Sequence, residues 1–307
     1  MRLLRAGLGI ALPALVALAA CASGSTAPEP STAVEQRTEP SLPEARQEVA
    51  SAAIDELGLW VIGGLDGARR SSATVFRFDG NAWTREPDLP VGLDHPGAAA
   101  LDGVVYVAGG FTGGAVSGRV FALPGPREVA QLNHARGGLA LVAAGAKLYA
   151  LGGSGGGGDV APAEEYDVAS DRWTELPPMP TPRNHVAGFS HRGMACAAGG
   201  RRPNSAEVDC WDPARRRWTS LPALPAPTSG AGAGALGDRA FVAGGEDSAS
   251  QAMIDQLAVF EAGAWRVERM AAPRHGIALA AYRGRLWACG GGEVAGLKPV
   301  ATCTSIR

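Results

Sequence analysis

Lysine is scarce in this sequence of 307 residues, and neither sign of charge is in large excess. Only two lysines occur, Lys147 and Lys298, and the formal net charge is −2. No basic surface for a polyanion is therefore indicated, and we expect no nucleic-acid partner. An apolar run at residues 6–20 is too short to span a bilayer comfortably as a helix. Apolar residues nevertheless make up 46% of the chain, enough for the core of one closed all-β domain.

Motifs of catalysis and metal binding are also missing from the sequence. It contains no nucleophile elbow, no Walker loop and no zincin histidine pair. Histidine and cysteine do not cluster at the short spacings typical of metal sites. We therefore expect no metal, no cofactor and no catalytic residue, and the sequence favours a binding protein over an enzyme.

The N-terminus has the pattern of an export signal. Arg2 and Arg5 precede the apolar run, which ends in Leu18-Ala19-Ala20-Cys21. This ending resembles the lipobox of bacterial lipoproteins, which implies cleavage before Cys21, lipid on its sulfur and a location in the bacterial cell envelope, facing the periplasm or the cell surface. An ordinary secretory signal that happens to end at a cysteine is the alternative. The expected segments are a signal peptide at 1–20, a flexible tether at 21–35 and a folded domain at 36–307.

A repeat runs through the rest of the chain. Apolar segments end in paired glycines six times, at spacings of 46, 43, 47, 45 and 46 residues. An aromatic residue stands three positions before the pair in five of the six copies, and a tryptophan follows the pair in four copies. The pairs are Gly63-Gly64, Gly109-Gly110, Gly152-Gly153, Gly199-Gly200, Gly244-Gly245 and Gly290-Gly291.

This pattern resembles the Kelch repeat over roughly residues 34–307. The resemblance implies an all-β fold, a six-bladed Kelch-type β-propeller with four antiparallel strands per blade. The sixth glycine pair is followed by only one further strand, VATCTSIR, so its blade lacks an outer strand. Residues 36–46 align with residues 173–183, which belong to the outer part of blade three. We therefore expect the N-terminal segment to supply the missing strand and to close the ring.

Four cysteines besides Cys21 occupy two equivalent pairs of positions. Cys196 and Cys210 stand on the expected second and third strands of blade four, and Cys289 and Cys303 hold the same places in blade six. Four cysteines allow three pairings, but adjacent antiparallel strands put the local partners side by side. In an exported protein we therefore expect the disulfides Cys196–Cys210 and Cys289–Cys303 rather than a metal site.

Basic residues recur where the chain enters the innermost strands. Arginine holds this position in four of the six repeats, and three histidines lie within one or two residues of it. The Kelch substrate adaptors of ubiquitin ligases use arginines at this repeat position to grip acidic peptides, so the resemblance implies a basic site at one mouth of the channel. Alternatively, each arginine hydrogen-bonds carbonyl groups of a neighbouring blade and is structural. The ligand-binding candidates are Arg46, Arg136, Arg183, Arg274, His95, His185 and His275.

The sequence thus predicts a monomeric, membrane-anchored binding module for a protein or an anionic small molecule. Galactose oxidase, a larger Kelch enzyme, is excluded because no cluster here matches the tyrosines, histidines and Cys–Tyr crosslink of its copper site. The periplasmic sialic-acid mutarotase, a six-bladed Kelch protein of similar size, leaves a carbohydrate-active enzyme as the alternative, on fold analogy alone. An enzyme should show a concave mouth with a buried carboxylate near the arginines. A protein-binding module should show a broad exposed patch on loops 111–118 or 246–252.

Overall fold

Short strands joined by tight turns form the whole of the described structure. The computed structural model describes residues 34–159 and 162–307. Cys21, the predicted signal peptide and the predicted tether up to residue 33 lie outside this range. Within it, no helix has the length and apolarity needed to cross a membrane.

The strands form six four-stranded antiparallel sheets, the blades of a propeller. The first strand of the described residues is β1 (Gln36–Glu39). Blade one contains β2 (Ala50–Ile54), β3 (Gly58–Ile62), β4 (Val75–Phe78) and β5 (Trp83–Glu86). Blade two contains β6 (Gly97–Leu101), β7 (Val104–Ala108), the hairpin of β8 (Phe111–Thr112) and β9 (Ala115–Val116), then β10 (Val120–Leu123) and β11 (Arg127–Val129). Blade three contains β12 (Ala140–Ala144), β13 (Lys147–Leu151), the hairpin of β14 (Ser154–Gly155) and β15 (Gly158–Asp159), then β16 (Pro162–Asp167) and β17 (Arg172–Pro178).

The second half of the ring repeats this order. Blade four contains β18 (Ala187–His191), β19 (Met194–Ala198), β20 (Val208–Asp212) and β21 (Arg217–Ser220). Blade five contains β22 (Gly232–Leu236), β23 (Arg239–Ala243), the hairpin of β24 (Glu246–Asp247) and β25 (Ala252–Met253), then β26 (Gln256–Glu261) and β27 (Ala264–Arg269). Blade six contains β28 (Ala278–Tyr282), β29 (Arg285–Cys289) and β30 (Cys303–Ile306).

The first strand of the chain completes the last blade, as predicted. Strand β1 pairs antiparallel with β30, from Gln36 opposite Ile306 to Glu39 opposite Cys303. The pairing begins slightly earlier than expected, because the Glu35 amide and carbonyl both bond Arg307 and the Glu35 carboxylate lies 2.9 Å from Arg285. Glu35 therefore belongs to the blade rather than to the tether. The closed ring leaves blade six with no missing strand.

Buried side chains lie between the blades and not within one central core. Each of six apolar clusters joins residues of two neighbouring blades. The tryptophans of the outer strands connect the blades further through their indole N–H groups. Trp173 donates to the carbonyl of Ala130 at 2.8 Å. The equivalent bonds join Trp83 to Pro40, Trp218 to Pro177 and Trp265 to Pro222.

Both predicted disulfides are present. Cys196 and Cys210 face each other on β19 and β20 with Cα atoms 4.0 Å apart, and Cys289 and Cys303 do so on β29 and β30 at 4.1 Å. The second bridge links the last strand of the chain to the blade that closes the ring. It therefore supports the same closure as β1.

Glycine pairs allow each blade to approach the next one. At the first pair, Gly63 and Gly64 have φ angles of 68° and 90°. A Cβ atom on Gly63 would lie 2.4 Å from the Leu93 carbonyl oxygen, and the Gly64 amide donates to that oxygen at 2.8 Å. Larger residues cannot fit there without moving the next blade.

Candidate functional site

Six equivalent residues surround the channel where the chain enters the innermost strands, two positions after the arginine position of each repeat. All six have the left-handed backbone conformation, with φ between 53° and 67°. We call them the channel ring: Glu48, His95, Gly138, His185, Gly230 and Gly276. Glycine adopts this conformation freely, whereas other residues are strained in it by about 1–3 kcal/mol. Three members of the ring nevertheless carry polar side chains.

Backbone hydrogen bonds connect the channel ring from blade to blade. The His95 amide donates to the Glu48 carbonyl at 2.9 Å, and the same contact recurs around the ring up to Gly276, at 2.6–3.0 Å. The circuit closes between the Val49 amide and the Gly276 carbonyl at 3.4 Å. These bonds fix the backbones of residues that are far apart in sequence at one level of the channel.

The Glu48 carboxylate lies between two histidines. Its Oε2 atom is 3.2 Å from Nε2 of His95, and its Oε1 atom is 3.1 Å from Nδ1 of His275. On the far side, His95 Nδ1 contacts the Asp94 carboxylate at 2.6 Å, and His275 Nε2 donates to the Val294 carbonyl at 3.0 Å. His275 therefore has acceptors at both nitrogen atoms, and His95 has one at Nδ1 and the Glu48 charge beside Nε2, which favours the protonated form of both rings.

His185 has the opposite hydrogen-bond pattern. Its Nδ1 atom contacts the Asn184 side-chain oxygen, and its Nε2 atom accepts from the Arg201 guanidinium at 2.6 Å. An imidazole that accepts at Nε2 must be neutral, with its proton on Nδ1. Its ring stands edge-on to that of His95, with the centroids 4.8 Å apart.

The pKa directions agree with these contacts. Burial raises the pKa of Glu48, but His95 and His275 together hold it well below its usual range. Burial lowers the pKa of His95, yet Glu48 and Asp94 raise it above the ordinary histidine value overall. Burial lowers the pKa of His275, but its hydrogen bond to Glu48, the charges of Glu48 and Glu246 and its bond to the Val294 carbonyl together raise it overall. The pKa of His185 lies well below the ordinary value because of burial and the nearby His95.

Two cavities meet at the channel ring. The channel itself has a volume of about 330 Å³ and is lined mainly by alanine and glycine of the innermost strands. A funnel of about 480 Å³ opens on the other side, between the loops that follow the glycine pairs. Glu48 and His95 line both cavities, so the ring lies between them. The charged residues of the funnel are Glu48, Arg69, Arg201, Arg202 and Glu246, together with His95 and His275.

The arginines predicted to line the mouth are placed elsewhere, which corrects that interpretation. Arg136, Arg183 and Arg274 expose 0%, 2% and 1% of their surface. Arg136 pairs with the buried Glu164, and Arg183 pairs with Asp209 at 2.6 Å. These guanidinium groups connect the second and third strands of their own blade and are not available to a ligand.

The other two members of the arginine set differ in detail. Among the described residues, Arg274 has no carboxylate partner and donates to the carbonyls of Gly290, Ala288 and Thr302. Burial lowers its pKa to about 10. Arg46 pairs with Glu44 and exposes 13% of its side chain, but it does not line the funnel. The three candidate histidines, in contrast, do meet at the channel ring or directly beside it.

The structure shows the concave mouth expected of an enzyme, and one of the two loops expected to carry a binding patch lines that same mouth. The concave mouth does contain a buried carboxylate, because Glu48 exposes only 10% of its side chain. Glu246, Ser248 and Gln251 of loop 246–252 line the same funnel. Within the described part of the chain, the exposed large apolar side chains lie on neither candidate loop; they are Leu57, Val168, Val267 and Val294. The funnel is therefore a concave site that combines a buried carboxylate with several other charged side chains.

Comparison with known proteins supports the repeat assignment. Residues 135–180, which include the turn, inner strands and outer strand of blade three, match the Kelch motif. The fold is a six-bladed Kelch-type β-propeller. The solved structure of YjhT superposes with a TM-score of 0.74 over 87% of this chain and 99% of that one, at 17% identity, a level that speaks for the fold alone.

Curated relatives share Kelch sequence with this chain. Kelch-like protein terF of Aspergillus terreus is 26% identical over 83% of this chain and 63% of its own length. Kelch-like protein 34 of Homo sapiens is 33% identical over 47% of this chain and 24% of its own length. The chain thus spans less than two thirds of the curated relatives it matches. These comparisons give no support to the carbohydrate-enzyme alternative.

Proposed function

We propose that this chain is an exported binding module, anchored by a lipid on Cys21, whose funnel captures a carboxylate group. The observation that carries the proposal is the funnel itself, a concave site next to the channel ring that contains three arginines. Its volume of about 480 Å³ suits a small molecule or a few side chains of a partner. Kelch propellers in general bind protein partners, which agrees with a binding role.

Arg201 and Arg202 are the residues expected to bind the carboxylate. Arg202 is exposed, and Arg201 is partly buried in the funnel wall. Arg201 already donates to Glu246 at 3.1 Å and to His185, but its buried Nε atom has no hydrogen-bond partner among the described residues. A guanidinium fork binds a carboxylate through two parallel hydrogen bonds. A ligand carboxylate in the funnel would bind the exposed Arg202 guanidinium in this way, beside Arg201 in the funnel wall.

Acidic side chains of a protein partner and free sugar acids share this carboxylate chemistry. Titration calorimetry with hexaglutamate and with glucuronate, both on protein freed of metal by EDTA treatment and desalting, distinguishes the two sources. Arg201→Ala or Arg202→Ala should weaken binding of the active probe by about 10-fold to 100-fold, because a hydrogen bond to a charged group contributes about 1.5–3 kcal/mol. Arg172→Ala, on the exposed outer part of blade three, is the matched control. Binding that is unaffected by either funnel substitution, or that fails for both probes, would contradict the proposal.

The membrane anchor rests on the lipobox-like end of the N-terminal run at Cys21. The two disulfides are compatible with an exported protein, because such bonds persist in oxidising compartments. A tether rich in serine, proline and glutamate would hold the propeller away from the lipid surface. The funnel would then be accessible to molecules outside the cytoplasm.

A further inference from the structure

Three side chains of the types that bind metal ions lie close together on the channel ring. The candidate donor atoms of Glu48, His95 and His185 all lie within 4.8 Å of one another. The Glu48 carboxylate and His95 Nε2 are 3.2 Å apart. Two donors bound to one ion at about 2.0–2.1 Å are roughly 3 Å apart. Small rotations of the side chains would therefore bring all three donors to one ion.

We propose that Glu48, His95 and His185 bind a divalent transition-metal ion, Zn²⁺ or an ion of the same class, between the channel and the funnel. Two imidazoles with one carboxylate are a donor set that suits such ions, whereas Mg²⁺ and Ca²⁺ require oxygen donors. The proposal goes beyond carboxylate capture and does not depend on it.

Backbone strain supports a role for these three side chains. The equivalent ring positions in the other blades are Gly138, Gly230 and Gly276, and glycine is the residue that this conformation favours. Glu48, His95 and His185 adopt the same left-handed backbone conformation, which is less favourable for them than for glycine. Strained non-glycine residues of this kind are concentrated at functional sites, and all three of these are ligand types.

Residues outside the ring contact Nδ1 of both histidines, and this fixes the imidazole orientation as is usual in metal-binding histidines. Asp94 contacts Nδ1 of His95 at 2.6 Å and is itself held by the Ser71 hydroxyl at 2.6 Å. Asn184 contacts Nδ1 of His185 and is held in turn by the Asp159 carboxylate. Each histidine thus directs its Nε2 atom toward the ring, where that atom faces Glu48 in the case of His95 and Arg201 in the case of His185. A carboxylate or amide behind the imidazole is the common outer-shell arrangement of metal-binding histidines.

Metal binding would rearrange two contacts that the ring makes without it. The ion would take the place of a proton on His95 Nε2, the atom that faces Glu48, and it would displace Arg201 from His185 Nε2. Arg201 would keep its bond to Glu246 and remain in the funnel wall. The remaining coordination positions would face the funnel, where water or an anion could enter.

The test uses the full-length chain in detergent, without a polyhistidine tag, after EDTA treatment and desalting. Titration with Zn²⁺ should give one equivalent, and Co²⁺ should give visible absorption bands that differ from those of the hydrated ion. His95→Ala and His185→Ala should lower the affinity by more than about 100-fold, and Asp94→Asn by about 10-fold to 100-fold with the stoichiometry kept. His134→Ala should bind as wild type, since that exposed histidine pairs with Glu175 away from the ring.

Two results would overturn the proposal. One is a Co²⁺ spectrum of the wild type that equals that of the hydrated ion. The other is a spectrum and Zn²⁺ affinity that are the same in wild type, His95→Ala and His185→Ala. If an alanine variant unfolds in a thermal melt, Glu48→Gln replaces it, because the amide keeps the size of the carboxylate. The carboxylate probes are titrated on desalted protein that contains neither metal nor EDTA, so failure of the metal site leaves that separate result intact.

Discussion

Replacing Arg136 tests whether the arginines of the repeat are structural. Its guanidinium is fully buried beside Glu164, whose side chain is also fully buried. Arg136→Met keeps much of the side-chain volume but removes the charge and all its hydrogen bonds. The bonds that are lost go to the carbonyls of His134, Gly152 and Pro162 and to the Glu164 carboxylate.

The expected loss of stability depends on the hydrogen bonds that Glu164 retains in the variant. Glu164 would keep only the backbone N–H groups of Asn133 at 2.7 Å and His134 at 3.1 Å. Breaking a buried ion pair by removing one partner costs about 3–5 kcal/mol, since a charge is left buried and unpaired. At about 2–4 °C per kcal/mol, the melting temperature should fall by on the order of 10 °C.

Urea unfolding and thermal melting with the disulfides intact measure this effect. Arg172→Met, an exposed position on the same blade, should change stability little. The double variant Arg136→Met/Glu164→Leu should lose less stability than the two single variants added together, because it leaves no unpaired buried charge. If Arg136→Met melts like wild type and instead abolishes hexaglutamate binding, the structural interpretation of this arginine is refuted.

Three further predictions concern ring closure, the disulfides and the anchor. Deleting residues 1–46 should lower the melting temperature more than deleting residues 1–33, because only the longer deletion removes β1 and exposes the edge of β30; equal melting temperatures would contradict closure. The double variant Cys289→Ala/Cys303→Ala should lose about 3 kcal/mol in urea unfolding, as expected for a loop of about fifteen residues, and unchanged stability would argue against a constraining role. Cys21→Ser should move the protein from the detergent phase to the aqueous phase, and equal partitioning of both forms would refute the lipid anchor.

The repeat made the fold predictable. Blades of one propeller have similar sequences, so the glycine pairs fix the number of blades, and the missing outer strand of blade six identifies residues 36–46 as its replacement. The disulfides could be predicted for the same reason, because Cys196 and Cys210 hold the same register as Cys289 and Cys303. The predictions of ring closure and of the two disulfides, both confirmed by the structure, thus rest on which residues stand opposite each other on paired strands.

The candidate site was only partly predictable from the sequence. Arg183 lies at the expected repeat position, but its side chain turns into the blade toward Asp209. The repeat position alone does not determine that direction. Glu48 was missed, although it holds the same repeat position as His95 and His185. Aligning the ring position itself would have found this set. Arg201 and Arg202 directly follow the glycine pair of blade four, and Arg201 forms the same backbone bridge as its equivalents in the other repeats, but only the folded ring brings both side chains to the funnel.

A crystal structure of the protein soaked with the carboxylate probe that binds would test the funnel most directly. The account predicts a carboxylate in the funnel, with its oxygen atoms within hydrogen-bond distance of the guanidinium groups of Arg201 or Arg202. A probe bound at the outer rim of the blades or at the opposite end of the channel would contradict it.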